Sequence, residues 1–130
     1  MSRVRTTIAA EGAPPALGPY SHAVRSGDLL FLSGQVPLDP ESGALVEGGA
    51  AEQTRQCLRN LQAVCAAAGA DLADAVRCGI FVTDMGSFPD VNAAYGEFFA
   101  DDPPARATVA VAALPAGASV EIDAIVALDA

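Results

Sequence analysis

The chain has 130 residues, of which 16 are acidic and 7 are basic, and its formal net charge is −9. This length suits one compact domain, which we expect to span residues 1–130. The negative charge repels phosphate backbones at long range and argues against non-specific nucleic-acid binding. No apolar run reaches the roughly 18–20 residues that a membrane span needs, and the N-terminus does not resemble a signal peptide. We therefore expect a cytoplasmic protein without a nucleic-acid or membrane partner.

The first third of the chain predicts three strands and a long loop. Arg5–Ile8 forms a short first strand, and Glu11–Pro19 is a loop because it contains three prolines and two glycines. The apolar runs His22–Val24 and Leu29–Leu32 follow, separated by a short connection that contains Gly27. That spacing is typical of a β-hairpin.

The middle of the chain predicts a helix and a strand. Apolar residues of Ala50–Ala68 recur at the spacing of one helical face, and Gly69 lies where a helix stop signal is expected. Residues Val76–Val82 alternate instead, which predicts a strand. The apolar face of this strand is expected to consist of Val76, Cys78, Ile80 and Val82.

The last third predicts a second helix and two strands. Ser87 can act as the N-cap of the helix, with Pro89 in its first turn and Asp90 at the capping-box position. Ala107–Leu114 and Ser119–Leu128 then form the last two strands, which we expect to pair as a hairpin.

The order β-β-β-α-β-α-β-β predicts an α+β fold in which a mixed sheet carries both helices on one face. Residues Ile125 and Ala127 make the last strand partly apolar on its second face as well. Helices on one face leave the other uncovered, so another subunit is a natural candidate to cover it.

Cysteine and histidine content gives little support for thiol or metal chemistry. Cys57, Cys65 and Cys78 form no CxxC pair, and an odd number cannot be fully paired within one chain. We interpret them as reduced, buried thiols; a thiol nucleophile is the alternative, although no base lies nearby in sequence. The one histidine, His22, has no partners at metal-ligand spacing, so we expect a loop or strand-edge residue and no metal or other cofactor.

Charged residues of the last two strands allow both a structural and a functional interpretation. Arg106 enters a strand of Ala, Thr and Val, where it can guard a sheet edge or capture a carboxylate through its planar fork. Glu121 and Asp123 lie two apart on one strand face, either as a solvated edge or as part of a site. The residues alone do not decide between these alternatives.

Four segments, in register over nearly the whole chain, carry a more specific signal. They are Gly18–Val24 (GPYSHAV), Leu32–Pro40 (LSGQVPLDP), Asn92–Phe99 (NAAYGEFF), and Pro104–Val109 (PARATV) running on to Leu114-Pro115 and Val120–Asp123. Together they resemble the signatures of the RidA (YjgF/YER057c/UK114) family. The resemblance implies a chorismate-mutase-like α+β subunit and a homotrimer with three clefts at its subunit interfaces.

The resemblance also implies an activity. Family members hydrolyse reactive 2-imino acids and their enamine tautomers, such as 2-iminobutanoate and 2-iminopropanoate, to 2-oxo acids and ammonia. Arg106 matches the arginine that binds the substrate carboxylate, and Glu121 matches the glutamate that positions water. The remaining cleft residues are matched by Tyr20, Ser33, Gly34, Asn92 and Thr108. A hydrogen bond from Tyr20 or Ser33 would stabilise the amino alcohol that forms during hydrolysis.

The chain departs from the family pattern at three places, and other functions stay open. Ala107 stands where serine is usual, His22 stands where glutamine is common, and the link from Phe99 to Pro104 is short. These differences bear on the substrate more than on the reaction. The alternatives are a non-catalytic ligand-binding or regulatory protein, the endoribonuclease or translation inhibitor as which the family was once labelled, and a holdase chaperone.

Overall fold

A computed structural model describes residues 4–129 and contains six strands and two α-helices within that range. The strands are β1 Thr6–Ile8, β2 Ala23–Ser26, β3 Leu29–Gln35, β4 Ala75–Val82, β5 Ala105–Ala110 and β6 Val120–Ala127. The helices are α1 Ala50–Ala67 and α2 Phe88–Gly96. No helix between residues 4 and 129 combines the length and the apolar composition that crossing a membrane requires.

All six strands form one mixed sheet in the order β1-β2-β3-β6-β4-β5. Strands β4 and β5 are parallel, because α2 crosses over between them, and the other neighbours are antiparallel. The core that the helices cover contains buried residues of both helices and of four strands, and Ile8 of β1 packs against it. The predicted α+β arrangement is therefore confirmed.

The predicted hairpin of the last two strands is wrong. β6 lies between β3 and β4 and pairs with both, while β5 is an edge strand. The burial of the two strands gives the reason. Alternate residues of β6 are buried throughout its length, whereas no residue of β5 is fully buried. The apolar face of β6 gains more by lying in the centre of the sheet than beside β5.

The β2–β3 hairpin and α1 are confirmed. Ser26 pairs with Leu29 across a two-residue turn, and Gly27 adopts the positive φ of 60° that this connection needs. α1 buries an apolar face whose largest members include Leu58, Leu61 and Val64, and Gly69 follows its end with a φ of 71°.

Two local predictions are wrong. Val76 is 46% exposed, because the pairing of β4 with β6 shifts between Ala75 and Arg77 and takes Val76 out of the alternation. Ser87 does not cap α2 with its side chain. Its Oγ instead donates a hydrogen bond of 2.7 Å to the backbone oxygen of Asp84, because a short 3-10 turn precedes the helix.

The face of the sheet opposite the helices is partly apolar and open. Phe31 on β3 and Val109 on β5 lie on this face and are 43% and 46% exposed. Ile125 of β6 pairs with Phe31 on the same face and is half-buried. We call this the open face of the sheet.

Candidate active site

A cavity of about 280 Å³ borders the open face and contains four of the predicted site residues. Its lining consists of Leu17, Tyr20, Ser33, Gly34, Val36, Pro115 and Glu121. Loop residues, β3 and β6 therefore combine to form it. The walls are mixed, with apolar side chains around one carboxylate and two hydroxyls, as expected of a small-molecule site.

Glu121 is the carboxylate of this cavity. It lies on the open face because its neighbours Val120 and Ile122 point into the core on the other side of β6. Burial, and secondly the nearby charge of Asp123, raise the pKa of Glu121 above the usual value for glutamate. Within residues 4–129 the carboxylate has no ion-pair partner. It can therefore bind water and exchange protons without first breaking a salt bridge.

Gly34 allows the β3 backbone to approach that carboxylate. The pairing of β3 with β6 shifts between Leu32 and Gln35, and Gly34 lies in this irregular stretch. A Cβ added to Gly34 would overlap Oε2 of Glu121. Glycine is thus the residue that fits between strand and carboxylate without moving either.

The two hydroxyls of the cavity have different roles as donor and acceptor. Ser33 Oγ donates its proton to the backbone oxygen of Ser21 at 2.6 Å, so towards a ligand it can only accept. Tyr20 Oη accepts a hydrogen bond of 3.0 Å from the Leu17 backbone N–H, which leaves its own proton available. Of the two residues expected to donate to a substrate, only Tyr20 has a proton to give.

His22 has a structural role that its sequence context did not reveal. The ring is buried, its Nδ1 accepts a 2.8 Å hydrogen bond from the Ala10 N–H, and its Nε2 lies 2.8 Å from the Pro14 oxygen. Both nitrogens are therefore committed to the loop that carries Leu17 and Tyr20. The prediction of a loop or strand-edge histidine is confirmed, and His22 positions one wall of the cavity.

The other three predicted residues form a second cluster at the edge of the sheet. Arg106 lies half-buried on β5, and its Nη2 donates a 2.8 Å hydrogen bond to Asn92 Oδ1 on α2. Thr108 lies two residues further along the same side of β5, and its buried Oγ1 has no hydrogen-bond partner. Two residues that the sequence analysis missed, Phe88 and Tyr95, place their aromatic rings beside the guanidinium.

These two clusters are separate within one chain. Arg106 is the register partner of Cys78 in the neighbouring strand, and the buried Cys78 side chain faces the helices. Arg106 therefore lies on the helix side of the sheet, whereas Glu121 points to the open face. Strand β4 also lies between the strands that carry them. A molecule of a few carbon atoms cannot contact both groups of the same chain.

The described residues do not support thiol or metal chemistry. Between residues 4 and 129, no group of three or more His, Cys, Asp or Glu side chains is arranged to hold a metal ion. Cys57, Cys65 and Cys78 are free and buried, as predicted. Burial raises the pKa of all three thiols, which disfavours the thiolate that a nucleophile requires.

The fold and the two clusters define a class: a small α+β protein that presents a carboxylate-lined cavity and, separately, an arginine suited to a small anion. Comparison with known proteins gives the family. Residues 10–128 match the family model described as endoribonuclease L-PSP. The chain therefore belongs to this family, the RidA (YjgF) family whose signature segments it carries.

Individual relatives agree with this assignment. The chain is 46% identical to a mouse protein named 2-iminobutanoate/2-iminopropanoate deaminase, over 95% of this chain and 92% of the mouse protein. It is 50% identical to the RutC family protein y4sK of Sinorhizobium fredii, over 93% and 96% of the two chains. The crystal structure of RidA from an Antarctic Psychrobacter species superposes with a TM-score of 0.91 at 41% identity, covering 95% of this chain and 99% of that one.

Proposed function

We propose that the protein is a hydrolytic deaminase that converts 2-imino acids and enamines, such as 2-iminobutanoate and 2-iminopropanoate, to 2-oxo acids and ammonia. The observation that carries the proposal is that Arg106 and Glu121 are half-buried and, within residues 4–129, have no ion-pair partner. Glu121 lines the cavity, and Arg106 lies on the edge strand β5. Relatives of 42–46% identity bear the name of this deaminase. The three reduced thiols are consistent with a cytoplasmic location.

The chemistry needs only groups that the two clusters supply. An imine carbon is electrophilic, particularly when its nitrogen is protonated, so hydrolysis requires orientation, one water and proton transfer. Arg106 binds the substrate carboxylate through its planar fork, and Glu121 orients the water and takes its proton. Tyr20 donates a hydrogen bond to the resulting amino alcohol, and Ser33 accepts one from its nitrogen. Glu121 returns the proton to the nitrogen, and the hydroxyl proton then moves to the nitrogen as the C–N bond breaks, which releases ammonia and leaves the 2-oxo acid.

We further propose that the site is completed by a second copy of the chain, in a homotrimer. Arg106 and Glu121 of one chain point to opposite sides of the sheet, so the Arg106 edge of one subunit must meet the Glu121 cavity of its neighbour. The exposed Phe31 and Val109 of the open face supply apolar surface for such contacts. Asn92 and Thr108 then belong to the Arg106 half of each site, and Gly34 to the Glu121 half.

The direct test couples a threonine dehydratase to the protein and follows the decay of the released imine as loss of semicarbazone formation. We expect the wild-type protein at micromolar concentration to accelerate this decay well above the rate in buffer, with matching release of ammonia. Decay no faster than in buffer, with several dehydratase substrates, would contradict the proposal. A ligand-binding or regulatory role would then remain, since binding a carboxylate requires Arg106 but no ammonia release.

The description of the family as endoribonuclease L-PSP raises endoribonuclease activity as a second candidate. The chain has few of the basic residues that bind RNA and cleave its backbone. The net charge is −9, no lysine is present, and the one histidine has both ring nitrogens tied to the backbone. An RNA-cleavage assay run beside the imine assay separates the two activities.

The raised pKa of Glu121 predicts the acid limb of the pH profile. A raised pKa keeps the carboxyl protonated up to a higher pH, so the ionised, active form is lost early as the pH falls. We expect the acid midpoint of kcat/KM to lie above the usual pKa of glutamate, about 4.3. Replacing Asp123 by asparagine removes a nearby negative charge and should move this midpoint to lower pH.

This test has a matched control. Asparagine keeps an acceptor oxygen for the Gly79 N–H, which Asp123 Oδ1 accepts at 2.9 Å, so D123N changes charge more than structure. Asp28→Asn, in the β2–β3 turn, removes an equal charge away from the cavity and should leave the midpoint in place. An acid midpoint that D123N leaves unmoved or shifts upward would contradict the role assigned to Glu121.

A further inference from the structure

Arg106 has less hydrogen bonding than a half-buried arginine normally requires. Among residues 4–129, its guanidinium makes one hydrogen bond, from Nη2 to Asn92 Oδ1, and no ion pair. A neutral amide satisfies one of five N–H donors and leaves the positive charge uncompensated. Arg55 provides a contrast, because it forms ion pairs with both Glu52 and Glu97. Something other than a carboxylate of the described residues must therefore hold Arg106 in position.

Two aromatic rings of α2 supply that restraint. The Arg106 guanidinium carbon lies 4.9 Å from the centroid of the Tyr95 ring and 5.6 Å from that of Phe88. Phe88, Asn92 and Tyr95 are spaced four and three residues apart, so they lie on one face of the helix. One helical face thus makes all three contacts with the guanidinium. We call Phe88 and Tyr95 the aromatic clamp.

Contact with aromatic rings differs from an ion pair because it leaves the N–H donors and the positive charge of the guanidinium free. A cation over a ring is attracted by the ring quadrupole, and this uses none of its N–H donors. A carboxylate in the same place would occupy two of those donors and neutralise the charge. The clamp can therefore immobilise Arg106 while keeping it available for an incoming anion.

Tyr95 is packed in the core, whereas Phe88 lies at its margin and can be replaced without disrupting the core. Tyr95 is 5% exposed, and its ring lies 4.7 Å, centroid to centroid, from the ring of Phe99 in the core. Phe88 is half-buried at the first position of α2. Phe88 can thus be changed with little damage to the core, and Phe98, which is half-buried against the core, provides a control outside the clamp.

We infer that Phe88 and Tyr95 are positioning residues that orient the Arg106 guanidinium for the substrate carboxylate. The inference rests on the proposed function for the identity of the anion, but the orientation of Arg106 is a property of the ligand-free protein. A flexible arginine must lose side-chain entropy when it binds an anion, and a pre-oriented one has lost it already. The clamp should accordingly act on carboxylate affinity and KM more than on kcat.

The experiment compares Phe88→Leu, Phe88→Tyr and Phe98→Leu with the wild type in binding of 2-oxobutanoate, measured calorimetrically, and in imine deamination. We expect F88L to weaken 2-oxobutanoate binding and raise KM by about tenfold, as loss of a partly desolvated cation–π contact predicts. F88Y should recover most of that loss because the ring is restored. F98L should lower the melting temperature but leave affinity unchanged. Wild-type affinity and KM in F88L would overturn the inference.

A readout without ligand separates this inference from the proposed function. The NMR resonance of the Arg106 Nε–H, assigned by its absence in Arg106→Lys, should show an upfield ring-current shift that F88L reduces and F88Y retains. If the wild type neither deaminates imines nor binds 2-oxobutanoate, the proposed function fails, and this resonance still decides the orientation of Arg106. A resonance that F88L leaves unchanged would overturn the clamp even in an active deaminase.

Discussion

Replacing Arg106 by alanine is expected to lower kcat/KM for 2-iminobutanoate by about 10²–10³-fold, the cost typical of removing one partner from a buried, hydrogen-bonded charge pair. The substrate carboxylate would lose its counter-charge and the fork that orients it. The protein should remain folded, because Arg106 makes one hydrogen bond to Asn92 and no ion pair within the described part of the chain. The semicarbazone assay measures the activity, and thermal unfolding measures the stability.

Two further variants show whether the loss is specific. Arg106→Lys keeps the charge but loses the planar fork, so its activity should lie between those of wild type and R106A. Arg55→Ala removes an arginine whose ion pairs with Glu52 and Glu97 are exposed, and exposed ion pairs contribute little to stability. We expect R55A to deaminate at the wild-type rate. If R106A also stays within about threefold of wild type, Arg106 does not bind the reacting carboxylate.

Mixing two inactive variants is expected to restore activity if the site lies between subunits. R106A lacks the arginine half of the site and Glu121→Gln lacks the carboxylate half. In mixed oligomers, some sites combine the intact Arg106 of one subunit with the intact Glu121 of its neighbour. Random assembly of equal amounts makes about one site in four complete, so the mixture should recover about a quarter of the wild-type activity.

Oligomers that carry two different affinity tags allow mixed species to be isolated before the assay. R106A refolded with itself, and E121Q refolded with itself, are the controls and should both stay inactive. The mass of the isolated species gives the number of subunits independently of activity. Mixed oligomers that are no more active than either variant would show that the two residues act within one chain, or that one of them is not part of the site.

Much of the local structure could be predicted because it depends on neighbouring residues. The periodicity of α1, its stop at Gly69 and the Gly27 turn each follow from side-chain spacing or from a φ angle that glycine permits. The errors arose where a tertiary contact competed with the local pattern. Val76 leaves the alternation at a shift in pairing with β6, and Ser87 bonds to Asp84 because a 3-10 turn precedes α2.

The positions of β5 and β6 could not be predicted from sequence. Adjacent strands usually pair, so Ala107–Leu114 and Ser119–Leu128 suggested a hairpin. The choice between edge and centre depends on which strand buries more apolar surface against α1 and α2, a property of the whole sheet. The two-residue alternation of a strand determines which of its residues share a face, but it does not determine the position of that strand in the sheet.

The sequence by itself determined the family, the α+β class and the identity of the candidate residues, because these depend on residue types at fixed spacing. It also placed Arg106 and Glu121 on the last two strands as candidate site residues. The tertiary structure alone decided that Arg106 and Glu121 face opposite sides of one sheet, that His22 holds the loop of Tyr20, and that Phe88 and Tyr95 contact Arg106. Contacts between residues far apart in sequence depend on strand order and helix placement, which no local spacing encodes.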